Sequence, residues 1–158
     1  MSQRIWHIGV AVDDLTKGKE EFTDVFGLSW RPTRVRRLTL TDARGADHEV
    51  ECHVTFSQGG PFAVELWEAI PGTPLAAPPG GGVHHIGYWV EGTAQESARL
   101  TALGLGPYAT VGHRPLLNAG PSGTIVELCD LHSDRPQLRD LFPAGSQYAG
   151  PAVLDSAL

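Results

Sequence analysis

The stretch His84-His85-Ile86-Gly87-Tyr88-Trp89-Val90 restarts a pattern that opens the chain as Ile5-Trp6-His7-Ile8-Gly9-Val10-Ala11-Val12. Each His-Ile-Gly is followed, after a long interval, by Val-Glu-Leu: Val64-Glu65-Leu66 in the first half and Val126-Glu127-Leu128 in the second. The chain therefore carries an internal duplication, and the duplicated residues are an imidazole and a carboxylate, both ligand types for a divalent metal.

Around those markers the same order of elements reads twice. The β-branched run Ile5 to Val12 stops at Asp13-Asp14. Asp14 is a natural N-cap, Leu15, Phe22, Val25 and Phe26 recur at helical spacing, and Gly27 ends the segment. A strand follows near Arg34 to Thr41, then Glu49 to Ser57 and Phe62 to Ala69, joined at Gln58-Gly59-Gly60-Pro61. After the Pro/Gly-rich segment 71–82 the sequence predicts a strand over Val83 to Val90 and a helix over Gln95 to Leu103 closed by Gly104. Further strands are expected near Pro107 to Val111, Arg114 to Asn118 and Thr124 to Leu131. The expected division is a first module over 1–70, a linker over 71–82, a second module over 83–131 and a C-terminal appendage over 132–158.

Strand parity then sorts the side chains. His7 shares a face with Gly9 and Ala11, while Ile8, Val10 and Val12 take the other. His85 goes with Gly87 and Trp89. Glu65 and Glu127 each sit between apolar neighbours that point the opposite way. A carboxylate inside so apolar a strand is costly unless paired or coordinated. Two such carboxylates in equivalent places predict a shared metal site of His7, Glu65, His85 and Glu127. His84, adjacent to His85, is expected on the opposite face as a structural or exposed residue. His48, His53, His113 and His132 are expected at the surface by default. The alternative for His53 is that Cys52, Val54 and Phe56 pack under a helix, which would turn Glu51, His53 and Thr55 toward the site. Gly9 and Gly87 are expected to leave room for substrate or for water on the metal. Trp67 and Trp89 are expected either to wall the site or to pack.

Composition narrows the class. The 158 residues carry a net charge of −6, with 41% apolar and 19% charged residues, as in globular proteins. Only Lys17 and Lys19 are lysines, which argues against a nucleic-acid partner. No run approaches the ~18 apolar residues of a membrane span. The start shows no signal pattern, so a cytoplasmic location is expected. Cys52 and Cys129 read as buried thiols. Arg34, Arg36 and Arg37 are suited to an anionic substrate, although surface placement is the commoner outcome.

With these motifs in order over residues 5 to 131, the chain resembles the vicinal oxygen chelate superfamily, which includes glyoxalase I, methylmalonyl-CoA epimerase, extradiol dioxygenases and bleomycin-resistance proteins. The resemblance implies an α+β fold: two tandem βαβββ modules forming a curled, cup-shaped mixed sheet with the helices outside. It also implies ligands on the first and fourth strands of each module, at His7, Glu65, His85 and Glu127, for Zn, Ni, Co, Mn or Fe. The implied activity is a metal-dependent isomerase or lyase of the glyoxalase or epimerase type that stabilises an enolate of a small carbonyl or acyl-thioester substrate. Glu127 is the first choice of base and Glu65 its alternate. The alternatives are an extradiol-type dioxygenase and a non-catalytic drug-binding protein. The expected partners are a small-molecule substrate and a second copy in a homodimer.

Overall fold

Among the described residues, eight strands and two α-helices follow one another as β1 (Ile5–Val12), α1 (Leu15–Phe26), β2 (Arg34–Asp42), β3 (Asp47–Phe56), β4 (Ala63–Glu68), β5 (Val83–Val90), α2 (Thr93–Ala102), β6 (Pro107–Val111), β7 (Arg114–Ala119) and β8 (Ile125–Asp130). The structure is a computed structural model and describes residues 5–59, 62–132 and 136–143. The turn expected at Gln58 to Pro61 falls partly outside these residues, as does the expected tail beyond Pro143.

The sheet is mixed and curls until it closes, in the order β1-β4-β3-β2-β6-β7-β8-β5. β1 and β4 run parallel, as do β5 and β8, while β1 and β5 pair antiparallel between them. The expected cup has no open side, because β2 and β6 pair at Leu40↔Val111, Thr41↔Thr110 and Asp42↔Ala109. Parity does not reveal that seam, since it joins strands far apart in sequence and its residues carry no distinctive pattern.

Helix α1 starts where Asp14 accepts the Lys17 amide at 2.8 Å and ends at Gly27, whose φ of 69° is left-handed. Gly18 lets the helix approach β1, since a Cβ there would lie 3.0 Å from Val12 Cγ1. Only Leu15 and Gly18 of this helix are buried. Val25 and Phe26, expected on its apolar face, are exposed, so only the first half of α1 is seated on the sheet. Helix α2 begins two residues before the expected Gln95 and packs its Leu100 against Val90 and Leu128.

Two apolar clusters form the core beside the strands. One joins Trp6, Ala63, Trp89 and Cys129 to Leu138, Leu141 and Phe142. The other joins Ala11, Leu40, Val50, Cys52, Val54, Trp67 and Leu75. β1 runs from the first cluster at Trp6 to the second at Ala11, and His7 and Gly9 lie between them. Part of the expected C-terminal appendage therefore belongs to the core: a 3-10 helix over Pro136–Leu141 inserts Leu138 and Leu141, and Asp140 pairs with Arg31. Among the described residues no helix is long and apolar enough to cross a membrane.

Candidate metal centre

Register builds the site. Glu65 on β4 lies beside Gly9 on β1, and Gly9 lies opposite His85 on β5. One row away, His7 on β1 lies opposite Gly87 on β5, which lies beside Glu127 on β8. Each row thus places a glycine between an imidazole and a carboxylate. The four larger side chains close over the two glycines on the concave face, and their ligand atoms all lie within 4.8 Å of one another.

The glycines are not room for substrate, as parity alone had suggested. A Cβ on Gly87 would collide with the His7 ring, and a Cβ on Gly9 with the His85 ring. Each His-Ile-Gly strand supplies the imidazole that fills the other strand's glycine gap. The repeated glycine is therefore the close-approach half of a reciprocal pair.

His7 is fully buried and His85 is 4% exposed. Their Nε2 atoms stand 2.9 Å apart. His7 Nε2 is 2.9 Å from Glu127 Oε2 and 3.4 Å from Glu65 Oε2; His85 Nε2 is 3.3 Å and 3.1 Å from the same oxygens. Donors about 2.1 Å from a shared centre stand roughly 3.0–3.4 Å apart at right or tetrahedral angles. The observed spacing fits one small cation.

Electrostatics point the same way. Burial alone would lower the proton affinity of His7, but hydrogen bonds with Cys129, Glu127 and Glu65 raise it well above the ordinary value. Burial opposes charge on His85 too, yet Glu127 and Glu65 raise it. Burial would push both carboxyls up, but hydrogen bonds with His7 and His85 hold Glu65 below its usual value and Glu127 well below it. Two largely enclosed carboxylates thus hold positive charge on the two imidazole edges that face them. A divalent cation supplies that charge at one point, so the residues present fit such an ion.

The sign of the pH dependence follows. Protons held tightly by His7 and His85 must leave before Nε2 can ligate, so affinity for Co²⁺ is expected to rise with pH. The slope should reach up to ~10-fold per pH unit for each proton displaced. Calorimetry in buffers of different ionisation enthalpy counts those protons. A pH-independent affinity between about pH 6 and 8 would contradict the charge assignment.

The centre opens onto a cavity of about 480 Å³, large enough for a small organic ligand. Glu65, His85 and Glu127 line it together with Arg34 and Arg36 on β2, Arg114 on β7 and the apolar Leu38, Val54, Phe56 and Leu116. Arg34 and Arg36 alternate inward with Leu38, whereas Arg37 turns out to pair with Glu51. Trp67 lines the cavity and stacks on His85 at 5.2 Å between ring centroids. Trp89 instead packs between Trp6 and Phe142.

Other expectations changed. Cys52, Val54 and Phe56 face the cavity; Glu51 and His53 lie on the outer face, the default placement for His53, which pairs there with Glu51 and Glu68, while Thr55 is buried and also lines the cavity. The helices do not cover the outside of β3, which reverses the inference from its apolar parity. His84 is not one of the four donors, but it is buried and reaches His85 at 3.1 Å between Nδ1 atoms. Burial and the neighbouring His85 push the His84 imidazole down to about 4, so it is neutral near pH 7. Leu138 lines the cavity as well; the apolar spacing of Leu138, Leu141 and Phe142 is the one feature of the sequence from which its insertion could be read.

A sequence profile described as Glyoxalase/Bleomycin resistance protein/Dioxygenase superfamily matches residues 6–114, a span that includes His7, Glu65 and His85. No curated protein sequence matches the chain. Among solved structures, a variant methylmalonyl-CoA epimerase from Streptomyces coelicolor in complex with 2-nitronate-propionyl-CoA superposes with a TM-score of 0.56 at 18% identity, covering 81% of this chain and 96% of that one. Methylmalonyl-CoA epimerase from Mycobacterium tuberculosis gives 0.51 at 14% identity, covering 82% and 88%. A mutant 4-hydroxymandelate synthase from Streptomyces coelicolor gives 0.54 at 12% identity, covering 82% of this chain and 38% of that one. At these identities the likeness is one of fold.

Proposed function

Because the chain belongs to the Glyoxalase/Bleomycin resistance protein/Dioxygenase superfamily, we propose that it is a metal-dependent isomerase or lyase that moves a proton on the carbon next to a substrate carbonyl. The observation that carries this reading is the convergence of His7, Glu65, His85 and Glu127 at one edge of a small-molecule cavity. The two halves read as tandem modules joined by residues 71–82, each giving one imidazole from its first strand and one carboxylate from its fourth.

His7, His85, Glu65 and Glu127 would hold a Zn, Ni, Co, Mn or Fe ion, which would supply Lewis-acid stabilisation of the negative charge appearing on the carbonyl oxygen. Glu127 is ionised, the state a base requires, and its carboxylate faces the cavity. Glu65 occupies the equivalent place on the other side and receives or returns the proton. Arg34, Arg36 and Arg114, which line the same cavity, favour a compact substrate with an apolar body and an anionic group.

The test loads metal-free protein with each ion and follows deuterium from solvent into carbonyl acids, their neutral esters and acyl thioesters. Metal-dependent exchange, faster for the acids than for their esters, is expected. Failure to take up any ion stoichiometrically would favour a binding protein. Oxygen consumption with iron and a catechol, without exchange, would favour an extradiol-type dioxygenase.

A further inference from the structure

We infer that His84 is a positioning residue that fixes which nitrogen of His85 carries the proton, and that the connecting segment 71–82 sets its orientation. The inference rests on the metal-centre reading for its consequence, but its geometry stands independently.

A β-bulge is the starting point. In the β1–β5 pairing Gly9 lies opposite His85 but Val10 lies opposite Val83, leaving His84 as the extra residue. A bulge re-aims the side chain of the inserted residue, so His84 turns inward beside His85 instead of to the far face. The first half has the same device: Ile5 lies opposite Tyr88 and His7 opposite Gly87, leaving Trp6 unpaired and buried. Both halves thus bulge at the residue before the ligand histidine. One half places an indole there, the other an imidazole.

The direction of the hydrogen bonds follows from chemistry. His84 Nε2 lies 2.9 Å from the Pro74 carbonyl oxygen, which only accepts. His84 therefore donates from Nε2, and its Nδ1, as a neutral imidazole, carries the lone pair. His85 Nδ1, 3.1 Å away, must then be the donor. A neutral His85 with its proton on Nδ1 presents a bare Nε2, the atom that faces His7, Glu65 and Glu127. The reverse tautomer would aim an N–H at the cation.

The Pro/Gly-rich segment holds the first link. Leu75 donates its amide to Thr73 Oγ1, and Thr73 Oγ1 donates to the Ile70 carbonyl, a turn that fixes the neighbouring Pro74 carbonyl. The Leu75 carbonyl accepts the Trp67 indole N–H at 3.1 Å, and Trp67 stacks on His85. Two consecutive carbonyls of this segment thus hold the two side chains that orient His85, one by a hydrogen bond and one by its ring face.

Nitrogen-labelled, metal-free protein decides the relay. The expected result is a proton on His85 Nδ1 with a coupling through the hydrogen bond to His84 Nδ1, and a second proton on His84 Nε2. A neutral His85 protonated on Nε2 with a bare Nδ1 would overturn it, whatever the protein does with metal. On Co²⁺ titration His84→Phe should weaken binding about 10–100-fold. His84→Asn, whose amide oxygen falls near the lost Nδ1, should recover part of that loss. Wild-type affinity in His84→Phe would overturn the relay. No Co²⁺ uptake by wild-type protein would sink the metal reading instead, leaving the nitrogen spectrum to judge the relay.

Discussion

Gly87→Ala is expected to remove the proposed high-affinity metal binding although Gly87 is not itself one of the four donors. The added methyl group enters the space occupied by the His7 ring, which lies directly opposite across the β1–β5 pair. That ring is fully buried beside Trp6, 4.2 Å away between centroids, so it has nowhere to retreat. Overpacking of this kind costs ~1–3 kcal/mol. For a chain of this size that corresponds to a fall in Tm of roughly 2–4 °C per kcal/mol. The loss of affinity is the larger effect, because a ligand displaced by about 1 Å leaves the coordination sphere. Gly9→Ala should act alike through His85, whereas Gly106→Ala, with open space around its Cβ, should alter neither property. Thermal melts and Co²⁺ titrations of the three variants provide the check. Wild-type affinity in Gly87→Ala would mean that the two rings are not held as described.

Glu127→Gln is expected to lower proton exchange on a responsive substrate by ~10²–10⁴-fold at saturating metal, the usual contribution of a positioned base. The amide keeps the shape and loses the charge. His7 would also change: its raised proton affinity depends partly on Glu127, so the metal-free variant should hold that proton less firmly. Fewer protons should then be released when metal binds, and the pH profile of binding should move toward acid. A general unfolding would not produce that combination. Unchanged exchange in Glu127→Gln, with loss in Glu65→Gln, would transfer the role of base to Glu65.

Much of this was legible in the chain. The two His-Ile-Gly and two Val-Glu-Leu segments announced the element order, and alternation along β1, β4, β5 and β8 put the four donors on one face. These are local properties: a strand has a side-chain period of two wherever it lies. What alternation does not specify is which strand stands opposite which, or whether an extra residue interrupts the ladder. The register of β1 on β5 turned the glycines from open space into sockets for imidazoles. The bulge at His84 broke the parity rule where the rule had assigned that residue to the far face. The β2–β6 seam closed the barrel, and β3 turned Cys52 and Val54 inward because the helices cover other strands. The sequence alone determined the residue types and their faces, because those depend on neighbours in the chain. Only the tertiary structure decided partners, sockets and the relay through His84, because those depend on contacts between residues distant in sequence.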